Sequence, residues 1–263
     1  MKRNILLFLL SSCFCVFSQV EMSVEFEHKI TLKADRFVGV NMFDELFYVS
    51  NNTLFKQAET EVHSYKNVQL GQFYDVSIIN TLQTSVFHKN FNAFVQLDKK
   101  LGVLTTFDFN TSLELSAITY ASVTSNKRLW IFNNDTQQLQ VYNPQHDTIE
   151  VSTTPIQEPI THFYSNYNFC WVLCDSKLLQ FNIYGNLLNT YALNGYEDFA
   201  YYKGIIVLKK ENSLYALSEE ETLPVKINLP EIPIKEFSVT NETLYIYTGK
   251  ELYSFTINLK QTE

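Results

Sequence analysis

The stretch "LYIYTGKELYSF", residues 244–255, decides the fold of this chain. It contains two short runs of β-branched and aromatic residues on either side of a Thr-Gly-Lys turn, a composition typical of a β-hairpin. Two apolar runs around a polar turn recur five times earlier in the chain. These stretches begin at Leu46 ("LFYVSNNTLF"), Ser85 ("SVFHKNFNAFVQL"), Leu129 ("LWIFNNDTQQLQVY"), Cys170 ("CWVLCDSKLLQF") and Ile205 ("IIVLKKENSLYAL"). The sequence therefore predicts six related hairpins.

The spacing of the hairpins predicts how they assemble. They start at residues 46, 85, 129, 170, 205 and 244, which makes a repeat of about 40 residues. A short strand is predicted before each hairpin and another after it, so that each repeat forms a four-stranded sheet. Repeats of this length with several strands each are typical of a β-propeller, in which every sheet is one blade around a central axis. In the third blade the inner strand falls within residues 117–123, and its register is left open.

The two ends of the chain predict how the ring closes. Only four residues follow Leu259, so the sixth blade lacks its outer strand. Residues 23–32, "SVEFEHKITL", alternate like a strand but precede the first blade. We expect this N-terminal strand to complete the last blade, because an unpaired blade edge promotes aggregation. Residues 20–263 are thus predicted to form one all-β domain, a six-bladed propeller of four-stranded antiparallel blades.

This degenerate repeat resembles the broad superfamily of repeat propellers, including the WD40, YVTN and NHL types, over residues 23–260. It also resembles uncharacterised exported bacterial six-bladed propellers. The Gly-His and Trp-Asp pair of WD40 blades does not recur, and the Asp-box of sialidases is missing. The resemblance implies a rigid platform with a central pit, which is a scaffold compatible with either binding or catalysis.

The first residues predict export from the cytoplasm. Residues 1–19 combine an early cationic pair, Lys2 and Arg3, with an apolar segment and then small and polar residues, the pattern of a secretory signal peptide. Cleavage is expected near Ser18, and two alternatives are an uncleaved anchor and lipidation at Cys13 within a lipobox-like "LSSC". No later apolar stretch reaches the roughly 18 residues of a membrane-spanning helix. The expected location is periplasmic or extracellular, with a lipid anchor to the envelope as the alternative.

Composition and cysteine spacing exclude some classes of protein. The formal net charge is -8 and no basic stripe is visible, which argues against a nucleic-acid partner. Cys170 and Cys174 lie four residues apart on one predicted strand, about 13 Å at roughly 3.3 Å per residue. A disulfide requires less than about 7 Å between Cα atoms, so we predict that the two thiols are unpaired core side chains.

No motif for catalysis, a metal or a cofactor stands out. There is no Gly-x-Ser-x-Gly elbow and no glycine-rich phosphate loop. The five histidines lack the spacing of helix-borne metal sites, and they are His28, His63, His88, His146 and His162. We therefore predict no catalytic, metal-binding or cofactor-binding residues.

The repeat itself brings one set of polar residues together. Residues that begin the inner strands of different blades converge on one mouth of the central channel, and five of them are charged or titratable: Arg36, Asp75, His162, Asp198 and Glu236. Tyr74 and Tyr196 are expected beside them, since tyrosine combines contact area with a hydroxyl at binding surfaces. These seven residues predict a non-catalytic binding platform for a protein or another envelope component. The alternative is a propeller enzyme of the hydrolase, lactonase or lyase type that uses the same mouth.

Overall fold

A computed structural model describes residues 20–219 and 221–261. These residues form 24 strands in six four-stranded antiparallel sheets, with four single-turn 3-10 helices between them. The prediction of an all-β, six-bladed propeller is confirmed. The predicted signal peptide, its cleavage site and Cys13 lie outside the described residues.

The first three blades follow the chain from the inner strand to the outer strand. Blade 1 contains β2 (Arg36–Val40), β3 (Leu46–Ser50), β4 (Thr53–Gln57) and β5 (Val62–Tyr65). Blade 2 contains β6 (Asp75–Ser77), β7 (Gln83–His88), β8 (Ala93–Asp98) and β9 (Val103–Asp108). Blade 3 contains β10 (Ile118–Val123), β11 (Leu129–Asn133), β12 (Gln138–Asn143) and β13 (Thr148–Ser152).

The remaining blades have the same order, except that the last borrows a strand. Blade 4 contains β14 (Ile160–Ser165), β15 (Phe169–Cys174), β16 (Lys177–Asn182) and β17 (Leu187–Ala192). Blade 5 contains β18 (Asp198–Tyr202), β19 (Ile205–Lys210), β20 (Ser213–Ser218) and β21 (Val225–Lys226). Blade 6 contains β22 (Glu236–Thr240), β23 (Thr243–Tyr247), β24 (Glu251–Gln261) and the N-terminal strand β1 (Val20–Thr31). The 3-10 helices are Lys89–Phe91, Phe109–Thr111, Leu113–Leu115 and Ser125–Lys127.

The N-terminal strand closes the ring as predicted. Strand β1 pairs antiparallel with β24, from Val20 opposite Gln261 to Thr31 opposite Glu251. The sheet order of blade 6 is β1, β24, β23, β22, so β1 occupies the outer position that the C-terminal repeat cannot fill. The two ends of the chain are therefore held in one sheet.

Asparagine stands at several turn positions where glycine is common. The turn between β3 and β4 has positive φ angles at Asn51 and Asn52, and the turn between β22 and β23 has them at Asn241 and Glu242. Two-residue hairpin turns of this kind need left-handed backbone at both positions, which asparagine adopts more readily than most residues. This explains how a chain with only seven glycines makes so many tight hairpins.

The hydrophobic core consists of six clusters, each lying between neighbouring blades. Between blades 3 and 4, for example, Trp130 packs with Cys170, Cys174 and Phe181. Both cysteines are buried free thiols, as their spacing predicts. The cluster between blades 6 and 1 joins the two ends of the chain and contains Leu32, Phe37, Val40, Leu46, Tyr247 and Leu252. Burial of apolar surface between the blades thus holds the ring together.

Two strands have features that the repeat alone does not predict. The outer strand of blade 5 contains only Val225 and Lys226, and Pro224 and Pro230 flank this segment. Proline lacks the N–H that a ladder requires, which explains the short strand. In blade 3 the open register is settled by a bulge between Ile118 and Tyr120. The helices of the described chain are single turns, and none has the length or apolar character to span a bilayer.

Candidate functional site

The inner strands of the blades line a central channel of about 990 Å³. Every inner strand runs in the same direction along the axis, so the strand starts gather at one mouth and the strand ends at the other. We call these the charged mouth and the far mouth. The far mouth includes Met42, Lys203 and Glu242.

The five predicted residues lie together at the charged mouth. Each of them pairs with the last or next-to-last residue of the second strand of its blade, so they occupy equivalent heights in the ring. The pairs are Arg36 with Val49, Asp75 with Phe87, His162 with Leu173, Asp198 with Lys209, and Glu236 with Tyr247. All five line the channel.

Tyr120 completes the ring from blade 3, and the sequence analysis missed it. It pairs with Phe132, the next-to-last residue of β11, as the other ring residues do in their blades. The bulge that follows Ile118 also precedes His162 in blade 4, where it follows Ile160. Tyr120 is found when the ring position is assigned from its pairing partner near the end of the second strand. Assigning it from the first residue of the inner strand misses it, because of the bulge. We call these six residues the mouth ring.

Neighbouring members of the mouth ring interact around the axis. The His162 Nε2 and Asp198 Oδ1 atoms lie 3.2 Å apart. Arg36 donates a hydrogen bond from Nη1 to the Tyr74 carbonyl oxygen at 2.9 Å. The backbone N–H of Phe37 in blade 1 donates to Glu236 Oε2 in blade 6 at 2.6 Å. These contacts link blades 4 and 5, blades 1 and 2, and blades 6 and 1.

Burial disfavours the charged form of two carboxylates of the mouth ring. Burial raises the pKa of Asp75, and the nearby Arg36 guanidinium and His162 imidazole only partly oppose it. Burial also raises the pKa of Glu236, against the Phe37 N–H and the charges of Lys235 and Arg36. Three carboxylates therefore face one guanidinium at this mouth, and two of them are incompletely compensated.

A second layer of polar atoms lies just inside the mouth ring. Ser77, Ser122 and Ser238 follow Asp75, Tyr120 and Glu236 by two residues, so they face the channel on the same side of their strands. Each of these serine hydroxyls is buried and has no hydrogen-bond partner among the described residues.

Ser122 and Gly39 show how tightly this serine layer is enclosed. Ser122 is only 1 % exposed, and its hydroxyl lies beside that of Tyr120, which donates instead to Ser165 Oγ at 2.8 Å. Blade 1 contributes Gly39, where a Cβ would lie 3.1 Å from Ile78 Cδ1 and 3.5 Å from the Ser238 side chain. A side chain at position 39 would therefore crowd Ile78 and Ser238 of the two neighbouring blades.

The two tyrosines predicted beside the ring have different positions. Tyr74 lies at the rim of the charged mouth, and its ring lies 4.5 Å from the Lys89 ammonium. Tyr196 does not line the channel. It lies in the connection before β18 and packs edge-on against Tyr215, with the ring centroids 5.6 Å apart, while Lys210 lies 5.4 Å from its ring. The prediction that Tyr196 faces the mouth is wrong, because its side chain joins the core between blades 4 and 5.

The donor atoms of the channel do not form a cluster of metal ligands. Among residues 20–219 and 221–261, no group of three or more His, Cys, Asp or Glu side chains is placed to hold a metal ion. The polar atoms of the mouth ring come instead from six separate blades. This arrangement is suited to hydrogen-bonding and charge recognition of an organic group.

Comparisons with known proteins show the fold and leave the function open. No protein-family model matches the sequence, and no curated protein matches it. Virginiamycin B lyase from Staphylococcus aureus has a TM-score of 0.58 at 10 % identity, over 82 % of this chain and 78 % of that chain. A chain of the mitotic checkpoint complex has a TM-score of 0.61 at 10 % identity, over 97 % of this chain and 99 % of that one.

PorZ, a surface component of the type-IX secretion system of Porphyromonas gingivalis, is a third structure of similar fold. Its TM-score is 0.53 at 12 % identity, over 89 % of this chain but only 39 % of PorZ. The similar structures thus include an enzyme as well as components of larger assemblies. At such low identity the likeness shows a β-propeller and no more, so the function has to be argued from the channel.

Proposed function

We propose that this chain is an exported, non-catalytic binding platform, and that its charged mouth recognises a protein or another component of the cell envelope. The observation that carries the proposal is the mouth ring itself. All six blades contribute one polar side chain at the same height, at the opening of a channel of about 990 Å³. A rigid propeller holds such groups in fixed positions, which lowers the ordering cost of binding.

The chemistry of the ring supports recognition of a polar group. Its side chains include carboxylates, a guanidinium, an imidazole and a phenol, and most of them retain hydrogen-bonding capacity toward the channel. Carboxylates with raised pKa values in a concave site are a common feature of functional sites. Structural ion pairs, by contrast, are usually compensated within the fold.

A pull-down from the cell envelope tests the proposed function. The chain is used as bait beside a ring variant in which Arg36, Asp75, His162, Asp198 and Glu236 are all changed to Ala. A matched control carries Lys203→Ala and Glu242→Ala, which remove an exposed ion pair at the far mouth of the same channel. We expect one partner that the wild-type chain and the far-mouth control capture and the ring variant does not. Capture by all three baits would contradict recognition at the charged mouth.

Export is the second part of the proposal and rests on residues 1–19. Its test is the mass of the N-terminal peptide of the chain isolated from its own cells. A new terminus near Gln19 supports signal-peptide cleavage, and a lipid-modified Cys13 supports the anchored form. Recovery of the intact chain from the cytoplasm with residues 1–19 still attached would contradict export.

A propeller enzyme is the second candidate, and one contact favours it. His162 and Asp198 form a histidine–carboxylate pair at 3.2 Å in the mouth, an arrangement that general acid–base catalysis uses. The test is turnover of a panel of esters and lactones by the wild-type chain and by His162→Asn. Turnover that the variant loses would replace the non-catalytic proposal with this one.

A further inference from the structure

The charge balance of the mouth ring favours a positively charged ligand. Asp75, Asp198 and Glu236 face the same opening as a single guanidinium, that of Arg36. Asp198 is engaged with His162, and Glu236 accepts one backbone N–H and is also attracted by the Lys235 ammonium. The Asp75 carboxylate is partly buried, and the charges of Arg36 and His162 and the backbone N–H of Val76 only partly oppose the effect of burial on its pKa. The mouth therefore has an unbalanced negative charge in a partly dry setting, where an added cation gains most.

The serine layer is an independent observation at the same place. Ser77, Ser122 and Ser238 come from blades 2, 3 and 6, so their hydroxyls approach the axis from different directions. Buried hydroxyls normally find a partner, and an unpaired one costs free energy. Three unpaired hydroxyls, below Asp75, Tyr120 and Glu236 of the mouth ring, indicate that the partner is a group with several donors that enters the channel.

The geometry of these acceptors distinguishes among cations. A guanidinium is planar and pairs best with a single carboxylate through two parallel hydrogen bonds. Here the carboxylates stand on separate strands, and the hydroxyls surround the axis. An ammonium group has three donors that diverge from one point, and this matches acceptors that converge from several blades.

At the height of the serine layer and next to it, apolar and aromatic side chains also line the channel. Val38, Ile78 and Ala200 line it together with the aromatic rings of Tyr164 and Tyr201. At Gly39 a Cβ would contact Ile78 Cδ1 of the neighbouring blade at 3.1 Å, so the lining is closely packed there. An unbranched alkyl stem can lie along this apolar lining, and aromatic faces attract a cation as well as its methylene groups.

We propose that the charged mouth binds a primary ammonium group carried on an unbranched alkyl chain, held between the ring carboxylates and the hydroxyls of Ser77, Ser122 and Ser238. This inference rests on the proposed function and specifies the group that the mouth recognises. A lysine side chain of a partner protein and a free aliphatic amine present the same chemistry, and the experiment distinguishes them.

Calorimetric titration of the full chain at low salt tests this proposal. The probe is n-butylammonium, compared with n-butanol as the uncharged counterpart and butyrate as the anionic one. We expect saturable binding of n-butylammonium alone, weakened by added salt because the attraction is between charges. Absence of saturable n-butylammonium binding, or equal binding of n-butanol, would overturn the proposal.

Variants locate the binding. Asp75→Asn should weaken n-butylammonium binding about tenfold or more, since a hydrogen bond to a charged group is lost. Asp44→Asn is the matched control, an exposed carboxylate outside the channel lining, and should leave the affinity unchanged. Ser122→Ala is a second variant, which should weaken binding several-fold. Equal affinity of the wild-type chain and both channel variants would contradict the assigned site.

A second pair of probes identifies the source of the ammonium group. A blocked Gly-Lys-Gly peptide that binds more tightly than 1,5-diaminopentane supports a lysine of a protein partner, and the reverse order supports a free amine. The result is separable from the envelope pull-down. If no amine binds but the ring variant loses a captured partner, only the ammonium inference fails. If amines bind but every bait captures the same partner, only the proposed recognition of that partner fails.

Discussion

The seam between blades 6 and 1, which closes the ring, and the charged mouth of the channel both bring together residues from distant parts of the chain. They differ in whether their buried polar atoms have hydrogen-bond partners. At the seam, the Tyr247 side chain is fully buried, and its hydroxyl donates to the Ala34 carbonyl oxygen at 2.7 Å. The Tyr247 hydroxyl oxygen in turn accepts a hydrogen bond from the Ala34 N–H at 3.2 Å. At the mouth, the Ser122 hydroxyl is almost equally buried and has no partner among the described residues.

This difference separates stability from function within one fold. A buried hydroxyl with donor and acceptor partners stabilises the folded chain, whereas one without partners lowers its stability. The seam therefore has the properties of a region that holds the molecule together. The mouth retains uncompensated carboxylates and unpaired hydroxyls, as expected where a ligand supplies the missing partners.

Deletion of residues 20–31 should have the largest effect, because it removes β1 and opens the seam. Blade 6 loses the strand that pairs along β24, and the cluster with Met22 becomes exposed. We expect a loss of unfolding free energy above about 4 kcal/mol, measured by denaturant titration. Glu25→Ala is the control, since this side chain is exposed and the backbone ladder stays intact. A deletion variant as stable as Glu25→Ala would contradict closure by β1.

Tyr247→Phe should have the next largest effect and tests the seam at a single atom. The substitution keeps the ring against Phe37, whose centroid lies 6.1 Å away, but leaves the Ala34 carbonyl without its hydroxyl donor. We expect a decrease in unfolding free energy of about 1–3 kcal/mol. A neutral substitution would show that the hydroxyl does not stabilise the seam.

Asp75→Asn should act in the opposite direction. Burial raises the pKa of Asp75, so its charged form at neutral pH is less favourable in the folded chain than in the unfolded chain. Replacing the carboxylate with an amide removes this cost, and the unfolding free energy at pH 7 should be equal or higher. A clearly destabilised variant would mean that the charge at the mouth is structural.

The pH dependence of stability should show the smallest effect. Asp75 faces Arg36, His162 and Tyr120, while Glu236 faces Lys235, Arg36 and Asp198, and burial raises the pKa of both carboxyls above the ordinary value. In the interval between the ordinary and the raised pKa the folded chain binds more protons, so their contribution to stability increases as the pH falls.

The contribution of these two carboxyls is measured by comparing the unfolding free energies of the wild-type chain and of Asp75→Asn/Glu236→Gln at pH 7, 6 and 5. The advantage of the double variant in unfolding free energy should shrink as the pH falls. An advantage that grows toward low pH would mean that the two carboxyls are stabilised in their charged form.

The repeated hairpins made most of the fold predictable. Three second strands, β3, β11 and β19, begin at the residues the sequence indicates, Leu46, Leu129 and Ile205. Their apolar runs end at turn residues, so the boundaries are visible in the sequence. The short β21 was less visible, because the flanking prolines interrupt an otherwise strand-like segment.

The sequence predicts the residues of the charged mouth only where it also predicts the first residue of the inner strand. Four of these residues begin inner strands and are charged, namely Arg36, Asp75, Asp198 and Glu236. His162 and Tyr120 each follow a bulge that shifts the register by one residue, and Tyr120 is not charged. Tyr196 was misplaced because a loop residue two positions before a strand can turn toward a neighbouring blade. The serine layer required the register of every inner strand, which pairing across the sheet determines and local sequence does not.

The most direct test of the account is the unfolding free energy of the wild-type chain and of Asp75→Asn, each with and without saturating n-butylammonium. Without the amine, we expect the variant to be at least as stable as the wild-type chain. With the amine, the wild-type chain should gain stability and the variant should gain little, because binding to the folded state alone stabilises it. Equal gains in both proteins, or none in the wild-type chain, would contradict the claim that the mouth keeps its uncompensated charge for a cationic ligand.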